Sequence, residues 1–113
     1  MKLAVIGSRS LTNRELVIKK LDELKDEVEL LVSGGAKGAD LLAQKWAEEN
    51  NIATKIFKPE WGKYGKSAGI LRNKKIIESC DYCIAFWDGI SRGTKSSIDF
   101  CVKMNKPYLI VNQ

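Results

Sequence analysis

Five short apolar runs recur along the chain: Lys2–Ile6, Val28–Val32, Ile52–Phe57, Asp81–Trp87 and Pro107–Val111. Between them lie stretches whose apolar residues fall at helical spacing. The first has Thr12 and Glu15 as a capping box, then Leu16, Val17, Leu21 and Leu24, and is predicted to run to about Asp26. The second covers Leu41 to Glu49, with Leu42, Ala43, Trp46 and Ala47 on one face and Asn50-Asn51 as its stop. The third covers Ser67 to Ser79, and the fourth runs from a Thr94 cap to about Asn105. Strands that are apolar throughout are buried on both faces. Their alternation with amphipathic helices predicts an α/β fold: a doubly wound, parallel, five-stranded sheet with helices on both sides.

Such sheets bind ligands beyond the carboxyl ends of their strands, near the point where strand order reverses. The loops at that end are Gly7–Ser10, Ser33–Gly38, Lys58–Lys66 and Asp88–Gly93. They hold most of the glycines, together with Arg9, Lys37, Trp61, Tyr64, Asp88 and Arg92. Ser33-Gly34-Gly35-Ala36-Lys37-Gly38-Ala39-Asp40 is the most telling of them. A glycine-rich strand-to-helix turn puts bare backbone N–H groups at the positive end of a helix, where a phosphate fits. Asp40 caps those amides or holds a ligand hydroxyl. The turn lacks the G-x-G-x-x-G spacing of dinucleotide sites. Nor is Gly65-Lys66-Ser67 a P-loop, because Glu60 stands where its first glycine belongs.

The other loops add side chains. Ser8 and Arg9 follow the first strand, and Arg9 can fork onto a phosphate. In the third helix Gly69, Arg72, Asn73, Ile76 and Cys80 share a face, so Arg72 and Asn73 need polar partners there. In Asp88-Gly89-Ile90-Ser91-Arg92-Gly93-Thr94, Thr94 caps a helix or bonds a phosphate. Trp61 and Tyr64 are expected to pack rather than face water, as a base-stacking surface, a loop plug or a subunit contact.

Bulk properties bound the rest. At 113 residues, 44% hydrophobic and 29% charged, residues 1–113 make one ordered domain. No apolar run has the length of a membrane span, and the apolar start is cut short by Ser8-Arg9-Ser10. The expectation is a cytoplasmic protein with no membrane partner. The net charge of +5 comes from scattered lysines, which leaves nucleic acid open as a partner without favouring it. Cys80, Cys83 and Cys101 are an odd set. Cys80-Asp81-Tyr82-Cys83 has CxxC spacing, but the chain has no histidine and no second CxxC, so buried structural thiols are expected and no metal.

Taken together, Gly7-Ser8-Arg9, SGGAKGAD, W-x-x-Y-G-x-x-A-G-x-x-R-N and F-W-D-G-x-S-x-G-T resemble the YspA-like, cpYpsA-related branch of the SLOG superfamily. Its other branches include LOG phosphoribohydrolases, the DNA-processing protein DprA and molybdenum-cofactor carriers. The resemblance is co-linear over nearly the whole chain. It implies a Rossmann-like fold, a nucleotide or nucleotide-derived ligand and homo-oligomers, with no further cofactor required. The LOG pattern P-G-G-x-G-T-x-E-E places a glutamate that acts with an arginine in N-glycoside cleavage. Arg72 is similar in position to that arginine. After Gly93-Thr94, however, this chain reads Lys95-Ser96-Ser97. A serine cannot stabilise a cationic sugar as a carboxylate does. Asp40, Asp88 and Asp99 are the candidate substitutes.

These readings favour a ligand-binding module acting as sensor, carrier or sequestering protein. The alternatives are a LOG-type hydrolase with a displaced acid and a DprA-like nucleic-acid binder. The candidate ligand-binding residues are Gly7, Ser8, Arg9, Ser33, Gly34, Gly35, Lys37, Gly38, Asp40, Trp61, Tyr64, Gly69, Arg72, Asn73, Asp88, Gly89, Arg92, Gly93 and Thr94. Arg72→Ala is expected to abolish nucleotide binding and leave the fold intact.

Overall fold

A computed structural model describes residues 1–11 and 13–112. The strands are β1 (Lys2–Gly7), β2 (Leu30–Ser33), β3 (Ala53–Ile56), β4 (Tyr82–Trp87) and β5 (Tyr108–Asn112). The helices are α1 (Arg14–Asp22), α2 (Ala39–Glu49), the single turn α3 (Trp61–Tyr64), α4 (Ala68–Glu78) and α5 (Arg92–Lys103). All strand pairs are parallel, in the order β3-β2-β1-β4-β5. The order therefore reverses between β1 and β4, and the loops after those two strands diverge at the centre of the sheet.

The alternation along β1 builds both halves of the core. Leu3 and Val5 pack with Val17 and Leu21 of α1 and Ala43, Trp46 and Ala47 of α2. Ala4 and Ile6 pack with Ile76 and Ile77 of α4 and Ile98 and Cys101 of α5. The two-residue period of β4 does the same: Ile84 and Phe86 face the first cluster, Cys83 and Ala85 the second. Each fully buried Leu or Ile contributes about 1.5–3 kcal/mol. The Trp46 indole keeps its polar end satisfied by donating to Asp22 Oδ1 at 2.8 Å.

Several local expectations change. The Thr12 cap lies outside the described residues; α1 is capped by Asn13, whose side chain accepts from the Leu16 amide at 3.1 Å. The helix stops at Asp22, and a 3-10 turn at Lys25–Glu27 replaces its expected last turn. The predicted loop at Lys58–Lys66 contains α3 and the start of a 3-10 turn, Gly65–Ser67. Ser91, not Thr94, caps α5, because its hydroxyl already accepts the Thr94 amide. Cover is incomplete at the edge of the sheet: Tyr108, Leu109 and Ile110 of β5 are all exposed. Among the described residues, no helix is long and apolar enough to cross a membrane.

Candidate functional site

Two glycines let the first two loops meet. A Cβ on Gly7 would stand 2.5 Å from Ala39 Cβ and 2.9 Å from the Phe86 carbonyl oxygen. Gly38 has φ +83°, and a Cβ there would stand 2.4 Å from the Ser8 carbonyl oxygen. Only glycine at both positions allows the start of α2 to press onto the end of β1. Ser8 is buried and knits this junction to β4: its amide donates to Phe86 O at 3.1 Å, and its hydroxyl accepts the Asp88 amide at 3.4 Å.

The glycine turn is held from inside. Asp40 Oδ2 accepts the amides of Gly34 at 3.2 Å and Ala36 at 3.3 Å. Ser33 is buried, and its hydroxyl accepts the Gly35 amide at 3.4 Å. Of the N–H groups expected to face a phosphate, those of Gly34 and Ala36 are thus taken by the protein's own carboxylate and that of Gly35 by the Ser33 hydroxyl. Burial pushes the Asp40 carboxyl from the ordinary 3.8 up to about 6, opposed by the Ala36 amide, by Arg72 and by the Gly34 amide.

Arg72 of α4 reaches the same turn from the other side. Its Nη1 donates to Gly34 O at 2.9 Å and less closely to Phe57 O at 3.4 Å. Its Nε donates to Asn73 Oδ1 at 2.9 Å, and Asn73 Nδ2 donates onward to Gly93 O at 3.3 Å. The two polar residues on the packing face of α4 thereby tie β2, the end of β3 and α5 together. Burial lowers the Arg72 pKa, Arg9 adds to the lowering, and Asp40 opposes it. Arg9, Arg72 and the buried Asp40 line one cleft.

The last turn repeats the internal-carboxylate arrangement. Asp88 Oδ1 accepts the amides of Ser91 at 2.7 Å and Ile90 at 2.8 Å, which hold its carboxyl below the usual range. The Trp87 indole donates to Ser91 O at 3.0 Å. The amides of Arg92 and Gly93 donate to no described residue. Gly93 has no φ requirement, and a Cβ there would meet nothing within 4 Å.

These elements enclose a cleft of about 430 Å³ at the point where strand order reverses. Of the candidate residues, Gly7, Ser8, Arg9, Asp40, Arg72, Asn73, Asp88, Gly93 and Thr94 line it. Gly34 and Gly38 shape its wall through the contacts above, and Ser33 lies buried behind it. Gly35 and Lys37 are exposed on the turn. Tyr64 lines a separate cavity of about 220 Å³ that shares Arg72 with the cleft. Trp61 is 55% exposed, so the expectation that it packs away from water is only partly met; its ring edge covers Gly69, at 3.6 Å from where a Cβ would be. Gly89, Arg92 and Asp99 face an outer groove beside α5, and Asp99 pairs there with Lys95. Asp99 is therefore remote from the cleft.

Ser10, Ser91 and Ser97 also line the cleft, as do Ile6, Ala36 and Ile76. Ser97 was legible in the sequence: it lies one helical turn after Thr94 and Gly93. It occupies one of the two positions where the LOG pattern has glutamate, and its hydroxyl donates to Gly93 O at 3.3 Å. Ser96, the other, lines the outer groove. The three cysteines are buried and free, and burial is the main cause that pushes the Cys80 thiol up to about 11. Among the described residues no His, Cys, Asp and Glu group has metal-binding geometry.

Gene 61 protein of Mycobacterium phage D29 is 32% identical over 120 residues, spanning 96% of this chain and 94% of that protein. DNA processing protein A from Helicobacter pylori, described for its single-stranded DNA binding mode, superposes with a TM-score of 0.80 at 25% identity. This chain is covered completely and spans 66% of that one. DprA from Streptococcus pneumoniae gives 0.82 at 22% identity, covering 96% of this chain and 49% of that one. A molybdenum cofactor binding protein from Rippkaea orientalis gives 0.81 at 21% identity, covering 99% and 76%. These last two likenesses establish the Rossmann-like α/β fold. A family model described as YspA, cpYpsA-related SLOG matches residues 1–64, more than half of the sequence. The chain belongs to the YspA, cpYpsA-related SLOG family.

Proposed function

We propose that the cleft binds a nucleotide or nucleotide-derived small molecule, and that the protein acts through that binding as sensor, carrier or sequestering protein. The observation that carries this reading is the open end of α5. The Arg92 and Gly93 amides are unpaired among the described residues, a Cβ on Gly93 would meet nothing within 4 Å, and Gly93, Arg9 and Arg72 line the same cleft. A phosphate group meets all of these demands. The volume suits a ligand of nucleotide size. Nothing in the reading calls for a further cofactor. Mass spectrometry of small molecules retained through purification tests it directly, followed by calorimetry with the molecule found. A protein that carries none, and gives no heat with nucleoside monophosphates, would sink the proposal.

A hydrolytic reading rests on Asp40 alone. A buried carboxyl with a pKa near 6, lining the same cleft as Arg72, has the properties of a general acid. Release of free base from nucleoside monophosphates, abolished by Asp40→Ala, would replace binding with turnover. The single-stranded DNA binding described for the Helicobacter protein suggests a third reading. It requires steeply salt-dependent DNA binding by this chain. Self-association is proposed through the exposed β5 edge, where Tyr108, Leu109 and Ile110 face solvent; sedimentation tests it.

A further inference from the structure

The two oxygens of Asp40 have different tasks. Oδ2 is committed to the Gly34 and Ala36 amides. Oδ1 accepts no hydrogen bond within 3.5 Å from any described residue, although the buried Ser33 hydroxyl lies beside the carboxyl and its hydrogen bonding helps to hold the Asp40 pKa down. The residue as a whole is only 6% exposed. Yet among the described residues no fully buried side-chain oxygen or nitrogen lacks a partner. Oδ1 therefore keeps some exposure, and Asp40 lines the cleft.

A nearly buried carboxylate oxygen facing a cleft wants a donor and repels a phosphate. The donor must come from a neutral part of the ligand. The cleft's other walls narrow the choice. None of the described residues that line it is aromatic; its lining is mainly serine, threonine, asparagine, glycine and charged groups. A base would find no stacking surface there, whereas a sugar would find hydrogen-bonding partners. Phe57 and Tyr64 line the separate cavity that shares Arg72 with the cleft.

We propose that Asp40 Oδ1 accepts a hydrogen bond from a ribose hydroxyl, so that the cleft reads the ribose phosphate and selects ribonucleotides over deoxyribonucleotides. This rests on the nucleotide reading above and specifies its substrate class. The phosphate lies toward the α5 amides and the sugar toward Asp40. The carboxylate that folds the glycine turn with one oxygen determines specificity with the other.

The test is calorimetry of the full chain at neutral pH with adenosine monophosphate, its 2′-deoxy and 3′-deoxy forms, and ribose 5-phosphate. Loss of the recognised hydroxyl is expected to weaken binding by about tenfold or more. Ribose 5-phosphate is expected to bind. Asp40→Asn is expected to bring the ribonucleotide and the weaker deoxynucleotide to similar affinity, with a melting temperature showing that the turn persists. Equal affinity of the three nucleotides for the natural chain overturns the inference and leaves the nucleotide reading standing. So does a preference that follows the base while ribose 5-phosphate fails to bind, because Oδ1 would then be reading a base. Full ribose preference in a folded Asp40→Asn protein overturns the assignment to Asp40. Failure of every probe to bind overturns both proposals. The natural-chain series decides the matter even where the Asn variant does not fold.

Discussion

Asp40 and Arg72 hold opposite ends of one residue, Gly34, without forming an ion pair with each other among the described residues. The Gly34 amide donates to Asp40 and the Gly34 carbonyl accepts from Arg72. A Cβ on Gly34 would stand 2.4 Å from Arg72 Nη1 and 3.0 Å from Asp40 Oδ2, so glycine is the residue that admits both. Fold and candidate site are therefore built from the same bonds.

Replacing Arg72 should show this. Arg72→Ala removes the donor to Gly34 O and Phe57 O. The expected cost is about 1–3 kcal/mol of stability, read from urea unfolding. Nucleotide binding should fall with it. At that cost the fold is still expected to persist, with stability and binding falling together. Arg72→Lys should recover only part, because an ammonium lacks the fork that serves Asn73 and Gly34 together.

Two glycines should respond in opposite directions. Gly38→Ala forces a Cβ against the Ser8 backbone at positive φ and should destabilise by several kcal/mol, on the order of 2–4. Gly93→Ala meets open space inside α5 and should stabilise by about 0.5–1 kcal/mol. If the α5 end receives phosphate, the same methyl should weaken nucleotide binding. Thermal unfolding and calorimetry on the pair separate these effects. A stabilised Gly93→Ala protein with unchanged affinity would place the ligand elsewhere.

Asp40 should make stability fall as pH rises. Burial holds its folded pKa at about 6, above the ordinary 3.8, so the folded state binds the proton more tightly than the unfolded chain. The favourable contribution is full below the unfolded value and is lost as pH rises through the folded one. Asp40→Asn removes the titration. Between about pH 4 and about pH 7, the variant should gain on the natural chain by up to roughly 3 kcal/mol. Denaturant titrations at several pH values measure the difference; a constant offset would show that Asp40 is not perturbed.

The three thiols should be silent in the folded protein. Cys80, Cys83 and Cys101 are at most 1% exposed; burial raises the Cys80 thiol, and the hydrogen bond with Cys101, followed by burial, raises that of Cys83. A thiol-disulfide dye should react slowly under native conditions and with all three on unfolding. Fast reaction of one thiol in the native protein would contradict its burial.

The sequence by itself determined the architecture. The runs of β1 and β4 are buried on both faces inside a sheet covered by helices, whereas the edge strands β3 and β5 stay partly exposed, and the spacing between runs leaves room for the crossovers. Alternation in Leu3-Ala4-Val5-Ile6 assigns each side chain to a face without further information. The loops that converge were legible for the same reason: parallel strands place their carboxyl ends together. The ends of α1 and the cap of α5 were less legible, because Thr12, Asn13, Ser91 and Thr94 are all competent caps and local sequence does not choose between them. Tertiary structure alone decided how the polar groups pair. Asp40, six residues from Gly34, and Arg72, thirty-eight residues away, take the amide and carbonyl of one glycine. The glycine turn, with its Gly34 and Ala36 amides taken by Asp40, is therefore an anchored wall of the cleft. Hydrogen bonding depends on distance and direction between groups far apart in the chain, which no local pattern of residues encodes.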